Sequence, residues 1–389
     1  MREPESCASN RSAATGRADH LFLTTETLNN KGIPMSKLAR SAVTGVAALA
    51  LLFSATACGT TDVSSSAAEK SPAATSATCA DDTTATSTEP VSMTDDLGRT
   101  LELEKPAKRV VVLEWQEIED ALTLCVTPVG VASPEGYSTY VTAEKLPEGV
   151  ASVGERGEPD LDSIYALNPD LIIVDAFSEE DPVVAQLDKG DVPVLVVKGN
   201  DSSDPIGNMK NVFSQVAEAT GRTERATAVL NEFDAHLAQK KQEVADVKVA
   251  TSDFLFFDGW VDGSNLTIRP YTDGALFTEL GKELGLTPVW NDEINKSFGS
   301  GGVNKEYGLA QTDVEGLAGV GEANLFYSND AGTGWTTELQ SSEIWKNLTA
   351  VKEGRTFQFP NVWGAGGPKS TSQAVDAFTD ALTSASEAK

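Results

Sequence analysis

Short runs of purely apolar, mostly β-branched residues recur along this chain, with helical stretches between them. Arg109 to Leu113, Leu171 to Val174 and Val194 to Val197 are three such runs. A strand that is apolar on both faces must be covered on both faces, and parallel sheets flanked by helices meet that demand. The alternation therefore predicts an α/β domain with a mainly parallel sheet. Helices are expected from Glu117 to Leu124, Asp160 to Leu167 and Asp181 to Leu187. Val129 to Val131 begins a further strand, and residues 132–152 read as a loop rich in Tyr, Pro and Gly. Val91 to Leu103 reads as a hairpin turning at Asp96-Leu97-Gly98-Arg99.

One stretch combines a buried strand with a functional hint. Val153 to Glu158 is a Gly-flanked turn carrying a single cation, Arg156. Asp160 is a plausible N-cap, and Leu161, Ile164 and Leu167 recur at helical spacing. Pro169 pushes Asn168 out of the helical region and ends that helix. The result is a loop, a helix and a buried strand with an arginine at the mouth. The N-terminal dipole of the short helix is expected to favour an anionic ligand there.

From Pro205 the texture changes. Met209, Val212, Phe213, Val216 and Ala217 recur at helical spacing up to Gly221, and a second helical run follows from Glu224 to Glu243. Strand and helix then alternate again: Phe254 to Phe257, Ala275 to Leu284, Val314 to Leu317, Asn324 to Tyr327, Ile344 to Leu348, Arg355 to Phe359 and Ser370 to Leu382. The expected architecture is two α/β lobes with mainly parallel sheets, joined by a long helix, with a cleft between them. The first lobe is assigned to residues 91–205, the connecting helices to 206–245 and the second lobe to 246–389.

The N-terminal segment is read as an export signal. Lys37 and Arg40 precede an apolar run from Ala42 to Phe53, too short for the ~20 residues that span a bilayer. Ala55-Thr56-Ala57-Cys58-Gly59 resembles a bacterial lipobox, although position 55 is not the usual leucine. Met35 is the expected start, with residues 1–34 upstream of it, 35–57 as signal peptide and Cys58 as the lipidated residue. Residues 58–90 are rich in Ser, Thr and Ala and read as a flexible linker. Export permits a disulfide between Cys79 and Cys125. The formal charge of -28 argues against nucleic acid and against adsorption on an anionic membrane surface, leaving the lipid anchor as the membrane contact.

Catalytic signatures are missing. The histidines are His20 and His236, and no Gly-x-Ser-x-Gly elbow, Gly-rich phosphate loop or Cys-x-x-Cys pair is present. A His-based transition-metal site is excluded. Most acidic residues read as solvated helix faces. Aromatics and arginines near strand ends are more informative, because ligands of α/β lobes meet the loops there. These are Trp115, Tyr137, Tyr140, Arg156, Arg269, Tyr271, Tyr327, Trp335 and Trp363. Trp290 and Trp345 read as core.

With those residues in place, the chain resembles the substrate-binding lipoproteins of iron–siderophore ABC importers, over about Val91 to Leu382. The resemblance rests on Arg-Val-Val-Val-Leu-Glu-Trp at 109–115, the stretch around Arg156, Arg-Pro-Tyr-Thr-Asp-Gly with Leu-Gly-Lys-Glu-Leu-Gly-Leu across 269–286, and Val-Lys-Glu-Gly-Arg with Trp-Gly-Ala-Gly-Gly-Pro across 351–368. Glu306-Tyr307-Gly308-Leu309 is also similar to a family segment. The nearest subgroup is the ferric-citrate and hydroxamate one. Cys125 stands where a glycine is common, and the Gly-rich stretch 299–302 has no counterpart.

The resemblance implies a clamp that takes a ferric siderophore and hands it to an ABC permease with its ATPase. No cofactor and no directly bound metal are expected, since iron arrives inside its chelate. Ligand contacts are expected from Trp115, Tyr137, Arg156, Arg269, Tyr271, Tyr327, Trp335 and Trp363. Permease contacts are expected from Glu179 or Glu180 in the first lobe and Asp273 or Glu279 in the second. A monomer on the outer face of the cell membrane is expected. Arginine's planar donors suit both citrate and hydroxamate oxygens, and the overall negative charge is screened beyond ~8 Å. The alternatives are a vitamin B12 or haem binder of the same fold and, less well supported, a surface hydrolase. For haem, Tyr271 or Tyr327 would supply an axial ligand. A free zinc or manganese binder would need several histidines.

Overall fold

Neighbouring residues of one strand serve two different cores. In the computed structural model, which describes residues 79–263 and 265–387, Val110 and Val112 join one apolar cluster and Val111 joins another. Ile172 and Ile173 divide in the same way. All five are fully buried, and each such side chain contributes about 1.5–3 kcal/mol. The strands Ala151–Ser152, Gly130–Val131, Val110–Val112, Leu171–Asp175 and Val194–Val197 lie in that order in one sheet. Every pairing in it is parallel.

The second lobe repeats the logic with aromatics. Phe254, Phe256 and Phe326 face a cluster with Phe378 and Val375 of the last helix, whereas Leu255, Phe257, Leu325 and Tyr327 face Trp335 and Trp345. Its main path runs Asn265–Pro270, Asp253–Asp262, Asn324–Tyr327, Thr356–Gln358. The first pair is antiparallel and the other pairs are parallel. The sequence pattern gives only the apolar run Phe254 to Phe257 here. Strand 253–262 extends past that run and pairs with 265–270, so Arg269 and Pro270 end a strand.

Two helices tie the lobes together. Pro205–Thr220 places Val212, Phe213 and Val216 in the first lobe's core and Met209 in the second's. Thr223–Ala245 buries Ala226 and Val229 against the first lobe and Phe233 and Val244 against the second. At 23 residues this helix is about 35 Å long, enough to run across both lobes. The closing helix Pro368–Glu387 packs along it.

Several local expectations change. The loop 132–152 contains a helix, Pro134–Tyr140, with Pro at its start, where a missing N–H costs nothing. Residues 79–89, assigned by composition to the flexible linker, are held against the first lobe. Cys79 is bonded to Cys125. Arg222 donates to Asp82, to the Thr84 carbonyl and to Thr86 Oγ1, and Gly221 O accepts from Ser87. Small polar residues cannot form a core, but they can satisfy an arginine that is itself 6% exposed. Cys125 has φ +65°, the left-handed geometry that glycine adopts at least cost just past a helix end. That geometry accounts for the glycine common at this position in the family that the sequence resembles. The proposed start at Met35, the signal segment, Cys58 and linker residues 58–78 lie outside the described residues.

Candidate functional site

Glu114 ends the first lobe's central strand run and begins the Trp115–Thr123 helix, its carboxylate accepting from the Trp115 backbone. Arg156 reaches the same carboxylate from the tip of a hairpin made by Gly154–Glu155 and Glu158–Pro159. Gly157 at φ +77° allows that turn. Arg156 Nη2 lies 2.7 Å from Glu114 Oε2. Its guanidinium sits 4.2 Å from the Trp115 ring centre and 5.2 Å from that of Trp363. Trp115 in turn stacks on Tyr140 at 5.6 Å and meets Trp363 edge-on at 4.8 Å. Trp363 comes from the second lobe's last loop yet packs on the first lobe's core. A cation flanked by aromatic faces and by one carboxylate is held in place before any ligand arrives.

The second lobe presents its own pair. Arg269 Nε donates to Asp258 at 2.8 Å, and Tyr271 Oη donates to the same carboxylate at 3.0 Å. Burial opposes the charge on Arg269, but Asp258 outweighs it and raises the guanidinium's pKa. Burial, with Asp258 adding to it, likewise raises the Tyr271 hydroxyl. The two half-sites meet through one dipeptide. Trp363 touches Arg156, and a Cβ on Gly364 would stand 2.6 Å from Tyr271 Oη.

The expected site residues separate into two groups. Trp115, Arg156 and Trp363 form one cluster, and Arg269 with Tyr271 forms its neighbour. Tyr137, Tyr327 and Trp335 belong to the interior. Tyr137 is fully buried and donates to the Glu144 carbonyl. Tyr327 stacks on Phe257 at 5.7 Å and lies edge-on to Trp345, also at 5.7 Å. Trp335 is 2% exposed. Strand alternation decides this, since Tyr327 shares the face of Leu325, which is roofed by Trp335 and Trp345. The short helix after Arg156 offers no free dipole, because Asp160 already accepts from Asp162 and Ser163.

Sequence reasoning missed the carboxylates. Glu117, Glu119 and Asp120 are fully buried, not on a solvated face. Glu119 accepts from Ser370 N and Oγ at the start of the closing helix. Burial nevertheless raises it to about 7. Burial also raises Asp120, and the nearby Glu119 charge adds to it. Asp175, at the end of its strand, accepts from Gly199 N and from Tyr307 Oη at 2.9 Å. Desolvation, then the Glu114 charge, raises Asp175 to about 7. Desolvation and the charges of Asp175 and Glu114 push Glu117 well up. Their signal in the sequence is three acids within four positions of one amphipathic helix that directly follows a buried strand.

Contacts between the lobes surround this group. Tyr307 meets Asp175 and packs edge-on to Phe177 at 5.5 Å. Asn200 Nδ2 donates to the Gly274 and Glu306 carbonyls. Thr142 Oγ1 donates to Asn361 O, and Asn361 returns a bond to Thr139 O. An open groove of about 540 Å³ is lined by Thr142, Asn361, Gln373 and Ala377 among others.

Comparisons with known proteins agree with this architecture. The iron(3+)-hydroxamate-binding protein of Escherichia coli (strain K12) is 24% identical over 275 residues, covering 70% of this chain and 86% of that protein. The Fe(3+)-citrate-binding protein of Bacillus subtilis (strain 168) is 26% identical over 268 residues, covering 68% and 76%. Among solved structures, the Fe3+–Desferal-bound siderophore-binding protein of Vibrio cholerae superposes with a TM-score of 0.60 at 23% identity, covering 72% of this chain and 99% of that one. Residues 110–362 match the family described as periplasmic binding protein, a span that takes in the main sheet of each lobe, the connecting helices, Trp115 and Arg156 and ends one residue before Trp363, and the chain belongs to that family.

Proposed function

We propose that this chain is an extracytoplasmic, lipid-anchored binding protein that captures an iron(III)–siderophore complex and delivers it to an ABC importer. The observation that carries the reading is the Arg156, Trp115 and Trp363 cluster between the lobes. Arginine donors suit the oxygens around chelated iron, and the indoles suit the chelator's apolar arms. The named relatives, binders of iron(3+)-hydroxamate and Fe(3+)-citrate, support the same ligand class. The protein acts by binding as a monomer, without a cofactor and without catalysis.

Delivery requires each lobe to present acid to the permease. Glu179 and Glu180 are exposed beyond strand Leu171–Asp175, and Asp273 is exposed in the second lobe. Lys282 pairs with both second-lobe acids, at 2.8 Å with Glu279 and 3.6 Å with Asp273, and Glu279 is the poorer candidate because its side chain is 22% exposed against 77% for Asp273. The proposal is tested by titrating tryptophan fluorescence with ferric citrate, a ferric hydroxamate, a ferric catecholate, haem and cobalamin. A ferric hydroxamate or citrate is expected to quench. Quenching by cobalamin alone, or haem alone, overturns the iron–siderophore assignment.

A further inference from the structure

The loop before the closing helix leaves its own lobe. Phe359 on one side of it, and Val375 and Phe378 on the other, pack in the second lobe's core. Between them the chain is held by the first lobe at three points. Asn361 exchanges hydrogen bonds with Thr139 and Thr142. Trp363 lies against Trp115, Tyr140 and Arg156. Ser370, the third residue of helix Pro368–Glu387, donates its N–H at 2.8 Å and its hydroxyl to Glu119. The first N–H groups of a helix lack intrahelical partners, and a side-chain oxygen just before the helix ordinarily takes them. Here the oxygen comes from the other lobe, 251 positions away. Gly366 and Gly367 permit the approach. A Cβ on the first would stand 3.1 Å from Glu119 Oε2, and one on the second 2.0 Å from Asp120 Oδ1. The link needs no negative charge, because a carboxyl accepts a backbone N–H in either protonation state.

We infer that Glu119 is a positioning residue for the ligand site: by holding Ser370 and the Gly366-Gly367 turn, it fixes the loop that presents Trp363 to Arg156. The segment between that tryptophan and the helix is Gly364-Ala365-Gly366-Gly367, and glycines leave a chain too free to hold a ring in place unaided. Asn361 anchors the loop two residues before Trp363 and Glu119 anchors it seven residues after. Glu119 and Ser370 are fully buried, so removing the carboxyl strands a buried N–H and gives the loop reason to shift. This rests on the reading of the Arg156, Trp115 and Trp363 cluster as the chelate site.

The experiment is a double-mutant cycle on the full chain, read by calorimetric titration with ferrioxamine B and with ferric citrate, so that loss of a tryptophan does not remove the signal. Trp363→Ala is expected to weaken binding about tenfold and Glu119→Ala about fivefold, with the double variant within about twofold of Trp363→Ala alone. Glu119→Gln, whose amide oxygen still accepts the Ser370 N–H, is expected to recover most of the affinity that Glu119→Ala loses. Should Glu119→Ala fail to fold, Ser370→Ala takes its place in the cycle, since it removes the hydroxyl bond and leaves the carboxyl. Losses that multiply in the double variant, or an unchanged affinity in the single variant at position 119 or 370 while Trp363→Ala binds weakly, overturn the positioning role and leave the ligand site standing. Unchanged affinity in Trp363→Ala, or a wild type that binds neither chelate, overturns both.

Discussion

The guanidinium of Arg156 lies 4.2 Å from the centre of the Trp115 ring while its edge is tied at 2.7 Å to Glu114, the residue just before that tryptophan. One dipeptide thus fixes the arginine by both its face and its edge. Side-chain entropy that a free arginine would lose on binding is already lost, and a ligand meets a preset array of donors.

Replacing that arginine tests the array. Arg156→Ala is expected to weaken chelate binding about tenfold or more, measured by fluorescence titration. Arg156→Lys should recover little, since an ammonium reproduces neither the stacking nor the fork of donors. Unchanged affinity in the alanine variant would return Arg156 to an ordinary loop residue.

Gly136 offers a second test without touching a polar group. A Cβ there would overlap the indole of Trp115, which is 7% exposed and cannot swing aside. Gly136→Ala is expected to shift the tryptophan emission maximum and to weaken ligand binding, with overpacking costing about 1–3 kcal/mol of stability. An unchanged spectrum and affinity would mean that the ring's position is not what the ligand reads.

The buried carboxyls set a pH dependence of stability. Glu119 and Asp175 are each raised to about 7 in the folded protein, against about 4 in the unfolded chain. The folded state holds these protons more tightly, so the contribution is fully present below about pH 4 and is lost as pH rises through about 7. Urea midpoints are expected to fall between about pH 5 and about pH 8, with a flatter profile in Glu119→Gln and in Asp175→Asn. A profile no flatter in either variant would assign the slope to other groups.

The Cys79–Cys125 bond closes a span of 46 residues. Loop entropy alone makes its removal worth up to about 4 kcal/mol. Cys79→Ser is expected to lower the thermal midpoint and to free residues 79–89 for proteolysis, while leaving ligand affinity within about threefold. Loss of binding in that variant would place the segment in the function rather than in the lobe's support.

Much of the fold was legible because parallel strands buried on both faces leave unambiguous apolar runs. Val110–Val112, Leu171–Asp175 and Val194–Val197 were all readable in this way. The hairpin strand Asn265–Pro270 leaves no such run, because Asn265, Thr267 and Arg269 alternate with Leu266 and Ile268, as suits a strand at the edge of the sheet. Tyr327 and Trp335 were misplaced for a related reason. A residue at a strand's end faces cleft or core according to which side of the sheet it points to, and four residues of apolar sequence do not say which.

What the sequence determined alone is the set of elements, the two-lobed α/β plan, and the Gly-flanked turn that offers Arg156. Local chain stiffness, apolar periodicity and turn chemistry suffice for those. The tertiary structure decided the company that arginine keeps. Glu114, Trp115 and Trp363 lie 42, 41 and 207 positions away, and only docking of the two lobes brings all three to it. In the folded chain Glu117, Glu119 and Asp120 are withdrawn from water, so that what reads as a solvated acidic face becomes a set of buried carboxyls whose pKa values are raised. A charge's meaning depends on its distance from water and from other charges, and neither is written in local sequence.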